Sequence, residues 1–401
     1  MSRYFRYTLE DMKKSSDRKL FTYATTFAGG GGSSCGYKLS GGDCKFMNEF
    51  QEVACDTYLQ NFPGTPYLCK DIKQMTSEEV MVTGKFNPKE LDIFDGSPPC
   101  PPFSMSGSKQ KNWNKTQVKY GHVQTNIEDL TWEIIRLCKD IQPKVIVCEN
   151  VKGLTMSYAV EHLNKMIRDF EAIGYTTVYK VMSAVNYGVP QKRERVFIVS
   201  VRNDVMEDVG LNFMNLSGAV FPEPYNEEIS LNQAIGDLQD NEFNKKDAEY
   251  LRMKMKTYKK YSWLTKLPKN PNRVMSIGDD VVKPHYEELY RQGKIKKEDI
   301  KISYYQSRRV PWSQASHTLT ESGMLMSVAA HLHPGEDRVF SPREACRIMS
   351  LPEDFILTGD MNKKLARIGL MVAPLQMKYL SESIYNNVIK PYKEKHNDTN
   401  H

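Results

Sequence analysis

No run of 18 apolar residues occurs in the 401 residues, so no membrane-spanning helix is expected. The eight cysteines, at 35, 44, 55, 69, 100, 138, 148 and 346, contain no Cys-x-x-Cys pair, which removes zinc-ribbon and thioredoxin readings. His331 and His333 form a short His-Leu-His pair without a third ligand in view, so no metal site is expected and both read as surface histidines. The opening residues, MSRYFRYTLEDMKKSSDRK, lack the apolar stretch of a secretory signal. The expectation is a chain that stays inside the cell, in a reducing compartment that keeps its cysteines as thiols. A dinucleotide fingerprint beginning at Gly29 would need glycine at position 34, where Ser34 stands, and this disfavours a nicotinamide enzyme. There is no internal repeat.

What is present is globular composition: 40% hydrophobic and 26% charged residues, too apolar for a disordered chain. The length suits two domains, or one large domain with an insertion. The net charge of +6 is unevenly placed: Lys245 to Arg309 carries 18 Lys and Arg against 8 Asp and Glu, and the remainder is net acidic. Seven tyrosines and Trp263 interleave with those basic residues. Basic and aromatic residues together suit a polyanion, because cations neutralise phosphates while rings pack on bases and sugars. A solvated lysine-rich surface would look the same in this stretch alone.

Residues 19–200 alternate strand and helix patterns. KLFTYATTFAG, CKFMNEF, LDIFDGSPP, KVIVCEN, TTVYKVMSAV and RVFIVSV read as strands; Glu52–Asn61, Ile127–Ile141 and Tyr158–Ala172 read as helices. Such alternation predicts an α/β fold with a parallel sheet covered on both faces. Ligands of such sheets bind beyond the carboxyl ends of the strands. Residues 203–312 lose the rhythm and read as an insertion or second domain. Gly369 to Ile389 reads as a closing helix, and KEKHNDTNH as a frayed polar tail.

The informative residues sit at those strand ends. Phe27-Ala28-Gly29-Gly30-Gly31-Gly32 follows the first strand, where glycines permit a tight turn and close approach to a ligand. Glu49 ends the second strand and Asp71-Ile72 follows the third, a loop-Glu-Asp order that suits an adenosine cofactor. In Gly96-Ser97-Pro98-Pro99-Cys100-Pro101-Pro102-Phe103-Ser104 four prolines restrict the backbone around one cysteine, fixing a nucleophile in an attack position. Glu149 in Cys148-Glu149-Asn150-Val151 stands where a carboxyl can donate a proton over a pocket. Arg193 and Arg195 in Gln191-Lys192-Arg193-Glu194-Arg195 offer forked donors for a phosphate or a base oxygen, or an ion-pair network with Glu194.

Taken together, FAGGGG, GSPPCPPFS, ENV and QKRER resemble, in order, the signature motifs of the C5-cytosine DNA methyltransferase family, bacterial or phage type. SHTLT at 316–320 and SPREACRIMSLPEDF at 341–355 resemble the motifs that follow that family's variable target-recognition region. The resemblance implies a class I S-adenosylmethionine-dependent, Rossmann-like sheet: a catalytic and cofactor-binding domain over 1–202, a small target-recognition domain over 203–356 containing the basic stretch, and a C-terminal helix over 357–401 that returns to the catalytic domain before the tail. It implies a DNA (cytosine-5-)-methyltransferase that flips a cytosine out of double-stranded DNA and attacks C6 with Cys100. Glu149 then contacts N3 and the exocyclic amine, Arg195 helps hold the base and adduct, Arg193 is counted with it among the catalytic residues, and Asn150 braces the site. The cofactor, S-adenosyl-L-methionine, is expected against Phe27, Ala28, Gly29, Gly30, Gly31, Glu49, Asp71, Ile72 and Pro99, with Glu49 on the ribose and Asp71 on the adenine amine. A cytoplasmic monomer in a bacterial or phage-infected cell is expected, and the class leaves room for a restriction endonuclease as a partner.

The chain departs from the family pattern at Pro101, where Gln is usual, and at Leu370, where the usual Gly-Asn-x-Val reads Gly369-Leu370-Met371-Val372. Two other readings compete: a tRNA cytosine-5 methyltransferase on the same core, and a non-catalytic DNA-binding homologue. The Cys-Phe-Thr signature associated with the tRNA branch is absent, and every residue with a direct chemical role is present, so DNA methylation is the reading preferred.

Overall fold

The structure, a computed structural model, describes residues 4–99, 117–119, 122–124, 130–157, 159–224, 227–240, 242–257, 267–276, 283–294, 308–321 and 331–398. Cys100, expected as the nucleophile, the residues that follow it to 116 and much of the basic stretch lie outside these. The chain divides into two compact units, a larger one of Thr8–Ser183, Glu194–Pro224 and Val372–His401, and a smaller one of Met1–Tyr7, Ala184–Arg193 and Tyr225–Met371.

Seven strands form the sheet of the larger unit: β1 (Phe21–Thr26), β2 (Gly42–Glu49), β3 (Tyr67–Cys69), β4 (Ile93–Gly96), β5 (Val145–Val151), β6 (Tyr175–Ser183) and β7 (Glu194–Arg202). Their spatial order is β3-β2-β1-β4-β5-β7-β6. The expected parallel sheet is corrected at one strand: β7 runs antiparallel to both β5 and β6, while β1 to β5 pair parallel. The reason lies in the connection. Residues 184–193 between β6 and β7 carry a 3-10 turn, Ala184–Tyr187, and the two-residue strand Gln191–Lys192 but no crossover helix, so the chain cannot return to the starting end of the sheet. The order reverses at β1, which places the loops after β1 and β4 beside each other at a topological switch point.

Helices Leu130–Ile141 and Val160–Ala172 bury one face each, with Ile134, Leu137, Cys138 and Ile141 on the first and Leu163, Met166 and Phe170 on the second. These spacings are helical, and each such side chain withdrawn from water contributes about 1.5–3 kcal/mol. They pack into one cluster with Phe94, Ile146 and Cys148 of the sheet.

Helix Gly32–Leu39, which follows the glycine loop, lies directly on helix Pro374–Ile384, with Ser40 Oγ 2.7 Å from Ser381 Oγ. Gly36 permits this approach: a Cβ there would stand 2.5 Å from the Pro374 carbonyl oxygen and 2.6 Å from Met377 Cβ. Because backbone cannot yield as a flexible side chain can, Gly36→Ala is expected to destabilise the fold by about 1–3 kcal/mol. A lowered thermal midpoint checks this; an unchanged midpoint contradicts the packing.

The tail read as frayed is helical through Asp398. Lys393 Nζ donates to the Leu20 carbonyl at 3.1 Å and to Asp92 at 2.6 Å, and Lys395 and His396 both reach Asp208. Charge anchored at particular carboxylates, which a polar composition cannot reveal, orders the segment. The domain limits also shift. Helix Met361–Leu370 belongs to the smaller unit, and residues 194–224 belong to the larger one.

In the smaller unit helix Pro342–Ile348 begins with a capping box in which Ser341 and Glu344 satisfy each other's backbone N–H, with proline in the first turn. The same Glu344, buried, takes a forked pair of bonds from Arg338 at 2.7 and 2.8 Å. His333, expected at the surface, is buried edge-on against Trp312, because the neighbouring Arg309, Arg338 and Glu344 side chains close over it. Burial holds its ring neutral, with the pKa pushed down to about 4. Six of the seven described cysteines are buried and Cys69 is exposed, its sulfur 2.6 Å from that of Cys55.

Candidate active site

The loop after β1 is built to leave space above it. Phe27 adopts a left-handed backbone (φ 55°), unusual for a residue with a side chain, and Gly29 follows at φ 54° with nothing within 4 Å of where a Cβ would be. Gly31 (φ 96°) cannot be replaced, since a Cβ would fall 2.3 Å from the Phe62 ring. Ala28 N–H donates to the Asn48 carbonyl at 3.1 Å and Gly31 N–H to the Ala28 carbonyl at 2.9 Å, fixing the turn that buries Gly30. Gly31 then starts helix Gly32–Leu39 without a side-chain cap.

Three acidic positions frame this loop. Glu49, at the end of β2, accepts from the backbone N–H of Gly29 at 2.8 Å, of Phe50 at 2.8 Å and of Gln51 at 2.9 Å. These backbone bonds fix the orientation of the carboxylate beside the glycine loop. Asp71, two residues beyond β3, is exposed and caps its own turn through Lys73 N–H at 3.0 Å, while Ile72 is buried beside it. The third is Asp95 on β4, which the sequence reading passed over. Its carboxyl is buried and accepts from Thr25 Oγ at 2.8 Å and from the Tyr37 hydroxyl at 3.1 Å. Burial, with a smaller contribution from Glu149, pushes its pKa up to about 7. An acidic residue inside the apolar run LDIFDG was the available signal.

β4 leads into the proline segment. Pro99 is exposed; Asn150 Nδ2 donates to the Pro98 carbonyl at 3.4 Å, while Asn150 Oδ1 accepts from Val151 N–H at 2.8 Å. The bracing expected of Asn150 is thus directed at the root of the cysteine loop. Cys100 itself lies outside the described residues. The Ser97 hydroxyl, just before the prolines, is buried with no hydrogen-bond partner among the described residues. Such an orphaned hydroxyl beside an open glycine loop fits a bound polar group. Together with Glu49 and Asp71, the residues fit an adenosine cofactor.

Glu149 and Arg195 face each other across adjacent antiparallel strands. Arg195 Nε lies 3.1 Å from Glu149 Oε1, with only 14% and 10% of the two side chains exposed. Arg195 also donates to the Glu194 carbonyl at 2.8 Å. Burial lowers the Arg195 pKa, and the Glu149 carboxylate opposes that shift.

Arg193, expected among the catalytic residues, is placed otherwise. It is buried in the smaller unit and donates to three backbone carbonyls, those of Leu319 at 3.0 Å, Gly369 at 3.2 Å and Met371 at 2.9 Å. Strand alternation would put residues 193 and 195 on one face; the difference arises because 193 lies outside β7 and belongs to the smaller unit, whereas 195 lies within β7 of the larger one. Gln191 acts in the same way: its Oε1 accepts from Leu319 N–H at 2.9 Å, and Ser316-His317 pair with Gln191-Lys192 as a two-residue ladder. Leu370, at the departure from the family pattern, is exposed beside the Gly369 carbonyl that Arg193 holds. Of the basic stretch, helix Glu242–Thr257 is described: Asn244, Ala248, Leu251 and Met255 are buried at helical spacing, while Lys245, Lys246, Lys254 and Lys256 are exposed.

Among the described residues no group of three or more His, Cys, Asp or Glu could hold a metal ion, and no helix is long and apolar enough to cross a membrane. A family model described as C-5 cytosine-specific DNA methylase matches residues 21–386. The Type II methyltransferase M.Eco47II of Escherichia coli is 28% identical over 362 residues, 87% of this chain and 75% of that protein. The Type II methyltransferase M.NgoFVII of Neisseria gonorrhoeae is 29% identical over 367 residues, 89% of this chain and 84% of that protein. Among solved structures, a prophage-encoded chain of Escherichia coli described as a DNA modification methyltransferase shares the fold with a TM-score of 0.62 at 20% identity, covering 92% of this chain and 99% of that one.

Proposed function

Because this chain belongs to the C-5 cytosine-specific DNA methylase family, we propose that its methylation of DNA runs through a covalent adduct between Cys100 and a cytosine flipped out of the duplex. The observation that carries this reading is the Glu149–Arg195 pair at 3.1 Å, at the end of the strand beside the one that feeds the cysteine loop.

The Cys100 thiolate adds to C6 of the ring, and the displaced electron pair makes C5 nucleophilic. The same addition raises the basicity of N3. Glu149 supplies a proton there and accepts a hydrogen bond from the exocyclic amine, so negative charge does not accumulate on the ring. Arg195 holds the Glu149 carboxyl in place, and Asn150 steadies the loop root through Pro98. Phe27, Ala28, Gly29, Gly30, Gly31, Glu49, Asp71, Ile72 and Pro99 would hold S-adenosylmethionine. When bound, that cofactor supplies the electrophilic methyl group that C5 receives. Loss of the C5 proton to a base then expels the Cys100 thiolate and leaves 5-methylcytosine. Arg193 acts as a brace that orients the backbone of 319 and 369–371 rather than as a group on the substrate. The exposed lysines of helix Glu242–Thr257 would neutralise DNA phosphates.

Duplex DNA bearing 5-fluorocytosine tests the adduct, because fluorine at C5 cannot leave as the proton does. With S-adenosylmethionine present, a peptide containing Cys100 is expected to carry the mass of the modified nucleotide after digestion. Turnover without any adduct, or an adduct on another residue, contradicts the assignment.

A further inference from the structure

Asp95 is a buried acid that the chemistry above leaves unused; Asp92 and Glu344, also buried, are paired with cations. It stands one residue from the end of β4 and five before Cys100, paired in register with Thr25 on β1 and with Val147 on β5. Its carboxyl takes hydroxyl bonds from Thr25 at 2.8 Å and from Tyr37 at 3.1 Å, and Thr26 Oγ donates to its backbone carbonyl at 3.2 Å. Thr25 and Thr26 lead into the Phe27 loop, and Tyr37 lies on the helix that leaves it. The groups facing Asp95 are Thr25 from β1, Ser33 and Tyr37 from helix Gly32–Leu39, and Cys148 and Glu149 from β5, with Tyr23 stacked on Tyr37 at 4.7 Å. Not one of them is a cation. A buried carboxyl that accepts hydroxyl bonds, but has no countercharge among the described residues, is ready to accept one.

We propose that Asp95 is a positioning residue of the cofactor site, tying the strand that feeds the glycine loop to the strand that feeds Cys100, and that its carboxylate is the countercharge by which the site prefers a positively charged sulfonium to the neutral thioether left after methyl transfer. This rests on the reading of the site as one for S-adenosylmethionine. The two ligands share their adenosine, carboxylate and ammonium groups and differ by the methyl group and the sulfonium charge. A protonated Asp95 offers that charge nothing, whereas the carboxylate attracts it. Binding of the sulfonium therefore drives the Asp95 proton into the buffer, and binding of the thioether does not. The sign follows: affinity for S-adenosylmethionine rises as pH climbs through about 7, where Asp95 ionises, and affinity for S-adenosylhomocysteine stays nearly level.

Calorimetry of the full chain with each ligand from pH 6 to 8, in two buffers of different ionisation enthalpy, tests this. S-adenosylmethionine is expected to tighten by up to about tenfold per pH unit with proton release, and S-adenosylhomocysteine to change by less than about twofold. Asp95→Asn, at pH 8, should weaken S-adenosylmethionine to the affinity of the unsubstituted chain at low pH and leave S-adenosylhomocysteine unchanged. Tyr37→Phe, which keeps the carboxyl and removes one donor to its charged form, should move the pH midpoint upward; it decides the question if the asparagine variant does not fold. Equal pH dependence for both ligands, or equal weakening of both in Asp95→Asn, overturns the proposal and leaves only a structural role. Failure of the unsubstituted chain to bind either ligand overturns the reading of the site itself, and this assignment with it.

Discussion

Cys100→Ser lowers methyl transfer to DNA by at least about 10³-fold while leaving DNA binding in place. The magnitude follows from the nucleophile. A thiol near pKa 8.5 is partly ionised at neutral pH and polarisable, whereas a serine hydroxyl is neither. The prolines at 98, 99, 101 and 102 each have a fixed φ, and this sequence pattern is expected to add to the penalty by restricting how a substitute nucleophile could approach. Single-turnover transfer of labelled methyl measures the effect. Activity within tenfold of the unsubstituted chain would mean that the cysteine is not the nucleophile, whatever the motif around it suggests.

Glu149→Gln is expected to lower kcat by about 10²–10⁴ with little change in cofactor binding, since an amide cannot deliver a proton to N3. It has a second consequence in the fold. Glu149 is the ion-pair partner of a largely buried Arg195, and removing one member of such a pair strands the other, at a cost of about 3–5 kcal/mol for a fully buried pair. With 10–14% of these side chains still exposed, water moderates that cost, so the lower end applies. The two effects separate experimentally: kcat reports the lost proton, and the thermal midpoint reports the stranded guanidinium. A variant that loses stability but keeps kcat would make Glu149 a structural partner of Arg195 and nothing more.

Much of this was legible before any coordinates. Six apolar runs became β1, β2, β4, β5, β6 and β7, and the glycine loop, Glu49 and Glu149 lie at or near the ends of β1, β2 and β5, because a buried strand must be apolar and a ligand site must lie beyond it. The direction of β7 was not legible. A strand covered on both faces reads as the same apolar run whether its neighbours are parallel or antiparallel, and only the missing crossover helix in 184–193 gives it away. Arg193 and Arg195 illustrate a second limit. Two arginines two residues apart look equivalent in QKRER, yet one binds three carbonyls and the other a carboxylate, a difference set by partners more than 40 residues distant in sequence. The helical tail, the buried His333 and the Arg338–Glu344 pair were hidden for the same reason. Asp95 shows the converse: its oddity was visible in LDIFDG, but only the hydroxyls of Thr25 and Tyr37 give it a meaning.

The methylated product is the most direct readout of this chemistry. The full chain, incubated with methyl-labelled S-adenosylmethionine and unmethylated duplex DNA, with tRNA in a parallel reaction, should place label in the DNA, and digestion to nucleosides should find it as 5-methylcytosine. Label in tRNA alone, or label recovered on any other nucleoside, would contradict it.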